Sequence, residues 1–104
     1  MATVSELTAR LDEALKRQPV SGLSLKLDFK GEGVIFASGD TASESDADAD
    51  CTLRIAKADF DAVLAGQIDP STAARDGTLE VIGNPAAALA MQQALVAAWF
   101  APRT

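Results

Sequence analysis

The chain has 104 residues, 48% of them hydrophobic and 23% charged, with a formal charge of -6. That size suits one domain over 1–104 with a single core, which buries roughly two-thirds of the surface its unfolded chain exposes. Nine scattered Lys and Arg against fifteen Asp and Glu, with no His and one Cys, disfavour nucleic acid, zinc, imidazole catalysis and an internal disulfide.

The first predicted element is a helix over Val4–Gln18. Thr3 and Glu6 have capping-box spacing, Val4, Leu7, Leu11, Ala14 and Leu15 form one apolar stripe, and Pro19 ends it. "LSLKLDF" at 23–29 alternates strictly and "VIFAS" at 34–38 follows a "KGEG" turn, which predicts a hairpin. Thr41–Ser43 is a candidate short edge strand. "CTLRIA" at 51–56 alternates again, with Cys51, Leu53 and Ile55 inward, so Cys51 reads as a buried, inert thiol.

Between these strands, Asp46, Asp48 and Asp50 imitate the start of a calcium loop. Counted from Asp46, the Gly position is Cys51 and the bidentate Glu position is Lys57, so the spacing fails. The run reads instead as a solvated, flexible connection.

Short helices follow at 58–66 and 69–77, the second with Asp69 as N-cap, Pro70 in the first turn and Gly77 past its end. "TLEVI" at 78–82 is a strand. Asn84 and Pro85 then open one continuous helix to about Phe100, whose only polar side chains are Gln92 and Gln93. A terminal helix normally leaves one face to water. This one asks for cover on two sides, either as a deep core helix or dimer contact, or as the wall of an apolar cavity.

No nucleophile–base pair or phosphate loop is present: "GEGVIFASG" has Phe36 where a third Gly belongs. No segment reaches the length of a membrane span, and the opening residues lack the apolar run of a secretion signal. The expectation is a cytoplasmic protein without stable membrane insertion, enzymatic activity, metal or cofactor.

The order of motifs resembles the sterol carrier protein 2 lipid-binding family. Asp50-Cys51-Thr52 opens a strand; Phe60, Leu64 and Gly66 mark the next helix; Asp69, Pro70 and Ala73 mark the one after; Gly77, Leu79, Val81, Gly83 and Asn84 mark the last strand and turn. Gln92 falls where the family often has Gln. The resemblance is close over 50–95 and confined to element order before that. It implies an α+β fold, a mostly antiparallel five-stranded sheet with four to five helices over one face, enclosing an apolar tunnel. The implied function is non-enzymatic binding of one fatty acid, fatty acyl-CoA or sterol. The other reading is a protein-interaction or dimerisation module with a closed tunnel; the partners are then a lipid with transient membrane contact, or a second copy in a homodimer.

On the lipid reading the cavity residues are Phe36, Phe60, Leu64, Ile68, Ala74, Leu79, Met91, Leu95 and Trp99, with Gln92 as a polar contact. Ala74 and Arg75 replace bulky apolar residues of many relatives. Ala74 would enlarge the cavity, and Arg75 would either meet an anionic head group or stay solvated. The acidic loop before Asp50 would place ligand entry elsewhere, near the last helix.

Overall fold

The computed structural model describes residues 3–100, apart from the side chains of Ser21, Pro70, Gln92, Gln93 and Phe100. Helix α1 spans Val4–Arg17, with the Thr3 hydroxyl accepting the Glu6 N–H at its start. Strands β1 (Val20–Asp28), β2 (Val34–Gly39), β3 (Thr41–Ser43) and β4 (Cys51–Arg54) follow. Helices α2 (Lys57–Leu64) and α3 (Pro70–Asp76) lead to β5 (Glu80–Gly83) and the C-terminal helical segment. Asp69 caps α3 through the Thr72 N–H, and Gly77 closes it at φ 88°, a left-handed conformation that a side chain would strain.

The strands form one sheet in the order β3-β2-β1-β4-β5. All pairs are antiparallel except β1 with β4, so the expected α+β, mostly antiparallel sheet is present. Alternation along the strands decides which face is covered. Leu25, Leu27, Ile35, Ala37 and Cys51 are buried on one face against Leu7, Leu11 and Leu15 of α1 and Ala87, Met91 and Ala94 near the C-terminus. Lys26, Phe36, Ser43, Thr52 and Ile82 form a lateral row on the other face, since they pair with one another across the ladders.

Three expectations need correction. The last helix is not continuous: α4 (Pro85–Ala90) ends at Met91, α5 (Gln92–Leu95) follows, and Val96–Phe100 is π-helical. A wide turn of this kind re-aims the residues after it, and here those include Trp99. The second correction concerns β5, which begins at Glu80 rather than Thr78 because the Leu79 N–H is already committed to the Ala73 carbonyl at 2.9 Å.

The acidic loop is the third: it is mostly exposed, as a solvated connection should be, but it is tied down at several points. β3 and β4 both run parallel to β1, so residues 44–50 must carry the chain back past the sheet. Asp46 lies 3.0 Å from the Lys26 ammonium on the outer face, and Lys26 is left only 17% exposed. Glu44 accepts from the Ser5 hydroxyl at 2.9 Å. Asp50 accepts the Ser24 N–H at 2.8 Å, donates its own N–H to Ser24 Oγ at 3.0 Å, and its carbonyl accepts the Asn84 N–H at 2.8 Å. Asp50 therefore joins β1, β4 and the end of β5. Gly83 completes the junction: at φ 94° its Cα sits where an added Cβ would lie 2.5 Å from the Asp50 carbonyl oxygen.

Candidate ligand site

The apolar residues singled out from the sequence converge, with exceptions that have a clear physical cause. Phe60 and Met91 belong to the buried core, and Leu64, Ile68, Leu79, Leu95 and Trp99 pack half-buried against it. Phe29 was not singled out, yet it anchors the cluster. Its ring centroid is 5.1 Å from that of Phe60, which in turn meets Trp99 edge-on at 5.3 Å and 87°. Tilted and edge-on pairs of this kind add roughly 0.5–1.5 kcal/mol each beyond area burial. The Trp99 indole N–H donates to the Leu7 carbonyl at 3.1 Å, tying the π-helical turn to the first half of α1.

Three of the singled-out residues stand apart from this cluster. Phe36 faces the other side of the sheet, because its neighbours Ile35 and Ala37 take the inward positions of β2. In α3 the inward residue is Ala73, fully buried, while Ala74 and Arg75 are exposed. Arg75 is therefore not a wall of the cluster. The side chain of Gln92 lies outside the described residues.

Two concave surfaces border the helices. One, about 250 Å³, lies between the second half of α1 and the π-helical turn, lined by Arg10, Glu13, Ala14, Arg17, Gln18, Ala97 and Ala98. Ala98 also packs against the core, so the groove floor adjoins the apolar cluster. Arg17 lies 3.9 Å from Glu13, whereas Arg10 makes no ion pair or hydrogen bond among the described residues. The other, about 370 Å³, runs along α2 and is lined by Ala58, Asp61, Ala62, Ala65 and Gln67. There Lys57 and Asp61 form a 2.7 Å pair, both mostly buried, and the second Asp61 oxygen is buried without a hydrogen-bond partner.

Arg10, Arg17 and Gln18 were missed in the sequence because they sit on the solvent stripe of an amphipathic helix. Only the return of the C-terminal segment onto that stripe makes a groove. Cys51 is a free, fully buried thiol, and burial pushes its pKa above the ordinary value despite a backbone hydrogen bond at Ala88 that works the other way. Asp46 and Asp50, two of the three acids that imitate a calcium loop, are engaged with Lys26 and Ser24 respectively. No helix among the described residues is long and apolar enough to cross a membrane.

A mixed five-stranded sheet covered on one face by helices, with an aromatic and aliphatic cluster between the layers, defines a small α+β module with an apolar interior. The chain belongs to the SCP-2 sterol transfer family, whose model matches residues 2–96. Over 54 residues it is 37% identical to the human protein Sterol carrier protein 2, a stretch covering 52% of this chain and 10% of that protein. The chain thus matches about a tenth of that curated relative's length. The fold is shared with the solution structure of Sterol Carrier Protein-2 from Aedes aegypti in complex with palmitate, at TM-score 0.70 and 17% identity, covering 94% of this chain and 99% of that one. It is also shared with the UbiJ-SCP2 Ubiquinone synthesis protein, at TM-score 0.65 and 19% identity, covering 90% and 93%.

Proposed function

We propose that the chain binds one long-chain hydrophobic ligand, of the fatty acid, fatty acyl-CoA or sterol class, and does no chemistry on it. The observation that carries this reading is the convergence of Phe60, Leu64, Ile68, Leu79, Met91, Leu95 and Trp99 on one cluster whose outer members are only half-buried. Half-buried apolar side chains between layers can separate and close over a guest at less cost than a fully packed core. Each ligand CH₂ taken from water contributes ~0.8 kcal/mol, so an acyl chain needs few polar contacts. The palmitate complex of the Aedes aegypti neighbour supports a fatty acid as the first ligand to try.

The polar end of such a ligand fits the groove of Arg10, Arg17 and Gln18. Glu13 lines the same groove and pairs with Arg17, so the local positive charge beside the alanine floor rests mainly on Arg10. Arg75, the earlier candidate for that role, is exposed on α3 away from the cluster.

Native mass spectrometry of the gently purified protein, followed by titration with palmitate and with hexadecanol, tests the reading. A one-to-one complex and a change in Trp99 fluorescence are expected. Arg10→Gln with Arg17→Gln is expected to weaken palmitate about five- to tenfold while leaving hexadecanol nearly unchanged. No bound lipid and an unmoved Trp99 signal with either ligand would overturn it.

One observation favours the second reading, a protein-interaction module. Leu89 and Val96, seven residues apart on the outer side of the C-terminal segment, are 71% and 45% exposed. Leu95 is not part of that outer stripe, since it packs inward. Leu95→Arg therefore reports on the interior, and Leu89→Arg on an outer contact. Loss of a partner with Leu89→Arg, alongside unaltered lipid binding, would favour the second reading.

A further inference from the structure

The two edges of the sheet are treated differently. At the β3 edge, α1 packs alongside, Asp12 accepts the Ala42 N–H at 2.9 Å, and Lys16 donates to the Asp40 carbonyl at 3.4 Å. At the β5 edge nothing equivalent exists among the described residues. β5 pairs with β4 alone, and all four of its residues are exposed. Val81 on the inner face and Ile82 on the outer face are 46% and 47% exposed, so apolar surface is uncovered on both sides of the same edge. A strand with one neighbour turns alternate N–H and C=O groups outward, where they template another strand.

We propose that β5 is the interface of a homodimer, in which β5 of a second copy adds antiparallel and extends the sheet across a two-fold axis. Charge argues for a second copy. Two copies of charge -6 repel except where charge is sparse, and residues 81–100 contain no charged side chain. Glu80 is the one charge on the strand.

Register sharpens the assignment. Both copies turn the same alternate residues outward, so only registers that keep inner face with inner face make hydrogen bonds, which leaves two-fold axes passing through a residue. An axis through Glu80 sets that carboxylate against itself. An axis through Val81 sets Glu80 against the partner's Ile82, twice. An axis through Gly83 runs the strand into the partner's Pro85, which has no N–H and begins α4. An axis through Ile82 sets Ile82 against the partner's Ile82, with side chains ~4.5–5.5 Å apart, and Glu80 against the partner's neutral Asn84. The structure assigns the interface to this last register.

Sedimentation of the whole chain across about 1 µM to 1 mM tests the dimer, and cysteine cross-linking tests the register. The wild type is expected to show a concentration-dependent dimer. Ile82→Lys, at an exposed strand position, is expected to weaken it at least about tenfold with the circular dichroism spectrum retained, because two ammonium groups then oppose each other. Under mild oxidation Ile82→Cys is expected to form the linked dimer at least about tenfold faster than the more exposed Leu89→Cys. A wild type that stays monomeric, an Ile82→Lys variant that still dimerises, or equal cross-linking of the two cysteine variants would overturn the proposal.

Discussion

The N-terminal and C-terminal halves of this molecule are built to different tolerances. In the first, α1, β1 and β2 interlock through Leu7, Leu11, Leu15, Leu25, Phe29, Ile35 and Ala37, all fully buried. In the second, Ala73, Ala87 and Met91 are buried as fully, but Leu64, Ile68, Leu79, Leu95 and Trp99 remain half-buried, and the final helix is interrupted at Met91 before widening to a π turn. Fully buried side chains packed against one another have little to gain from a guest. A region with incompletely covered apolar groups and a broken helix can accept one. On the proposed ligand-binding function, the contrast separates a scaffold from a half that adjusts to the ligand.

The largest way to break the comparison is to hollow the scaffold. Leu11→Ala removes a fully buried side chain and is expected to cost about 2–5 kcal/mol in urea denaturation. The same truncation at half-buried Leu95 is expected to cost clearly less. Equal losses at the two positions would contradict the division. Next in size is Gly83→Ala at the junction of the halves, where the added Cβ meets the Asp50 carbonyl and the φ of 94° resists any side chain. A loss of about 1–3 kcal/mol is expected, read as a lowered urea midpoint.

A smaller effect belongs to the tie between the halves. Trp99→Phe keeps an aromatic ring but removes the N–H that reaches the Leu7 carbonyl, for an expected loss of about 1 kcal/mol. Hydrogen exchange in the π-helical turn should rise more than exchange in α1.

The smallest concerns pH and lies wholly within the scaffold. Asp12 is held below its ordinary pKa of 3.8 by the Ala42 N–H and the Lys16 ammonium, against the opposing effect of desolvation. A carboxylate lowered by folding contributes stability above its unfolded pKa and loses it as the pH falls through the folded value. Stability should therefore decline below about pH 4, and Asp12→Asn should flatten part of that slope. An unchanged acid profile in Asp12→Asn would remove Asp12 from the account of the β3 edge.

Much of this architecture is legible in the chain itself, because period and punctuation are local. The leucine stripe of α1, the alternation of 23–29 and the Asp69–Gly77 punctuation each place an element within a few residues. Phe36 shows where that reading stops. "VIFAS" alternates for either choice of inner face, and only pairing with β1 decides that Ile35 and Ala37 go in. Ala74 failed similarly, since a seven-residue helix leaves its inward direction to tertiary contacts. The break at Met91 had no local signal, because Ala, Leu, Met and Gln all favour a continuous helix. The acidic loop is solvated, as its composition suggests, but composition does not show that parallel β3 and β4 carry it across the sheet to meet Lys26.

Hydrogen exchange with and without palmitate tests the division between scaffold and ligand-adjustable half most directly. Slowed exchange is expected from Phe60 through the π-helical turn, with β1 and β2 unchanged. Protection spread evenly over both halves, or none at saturating palmitate, would contradict it.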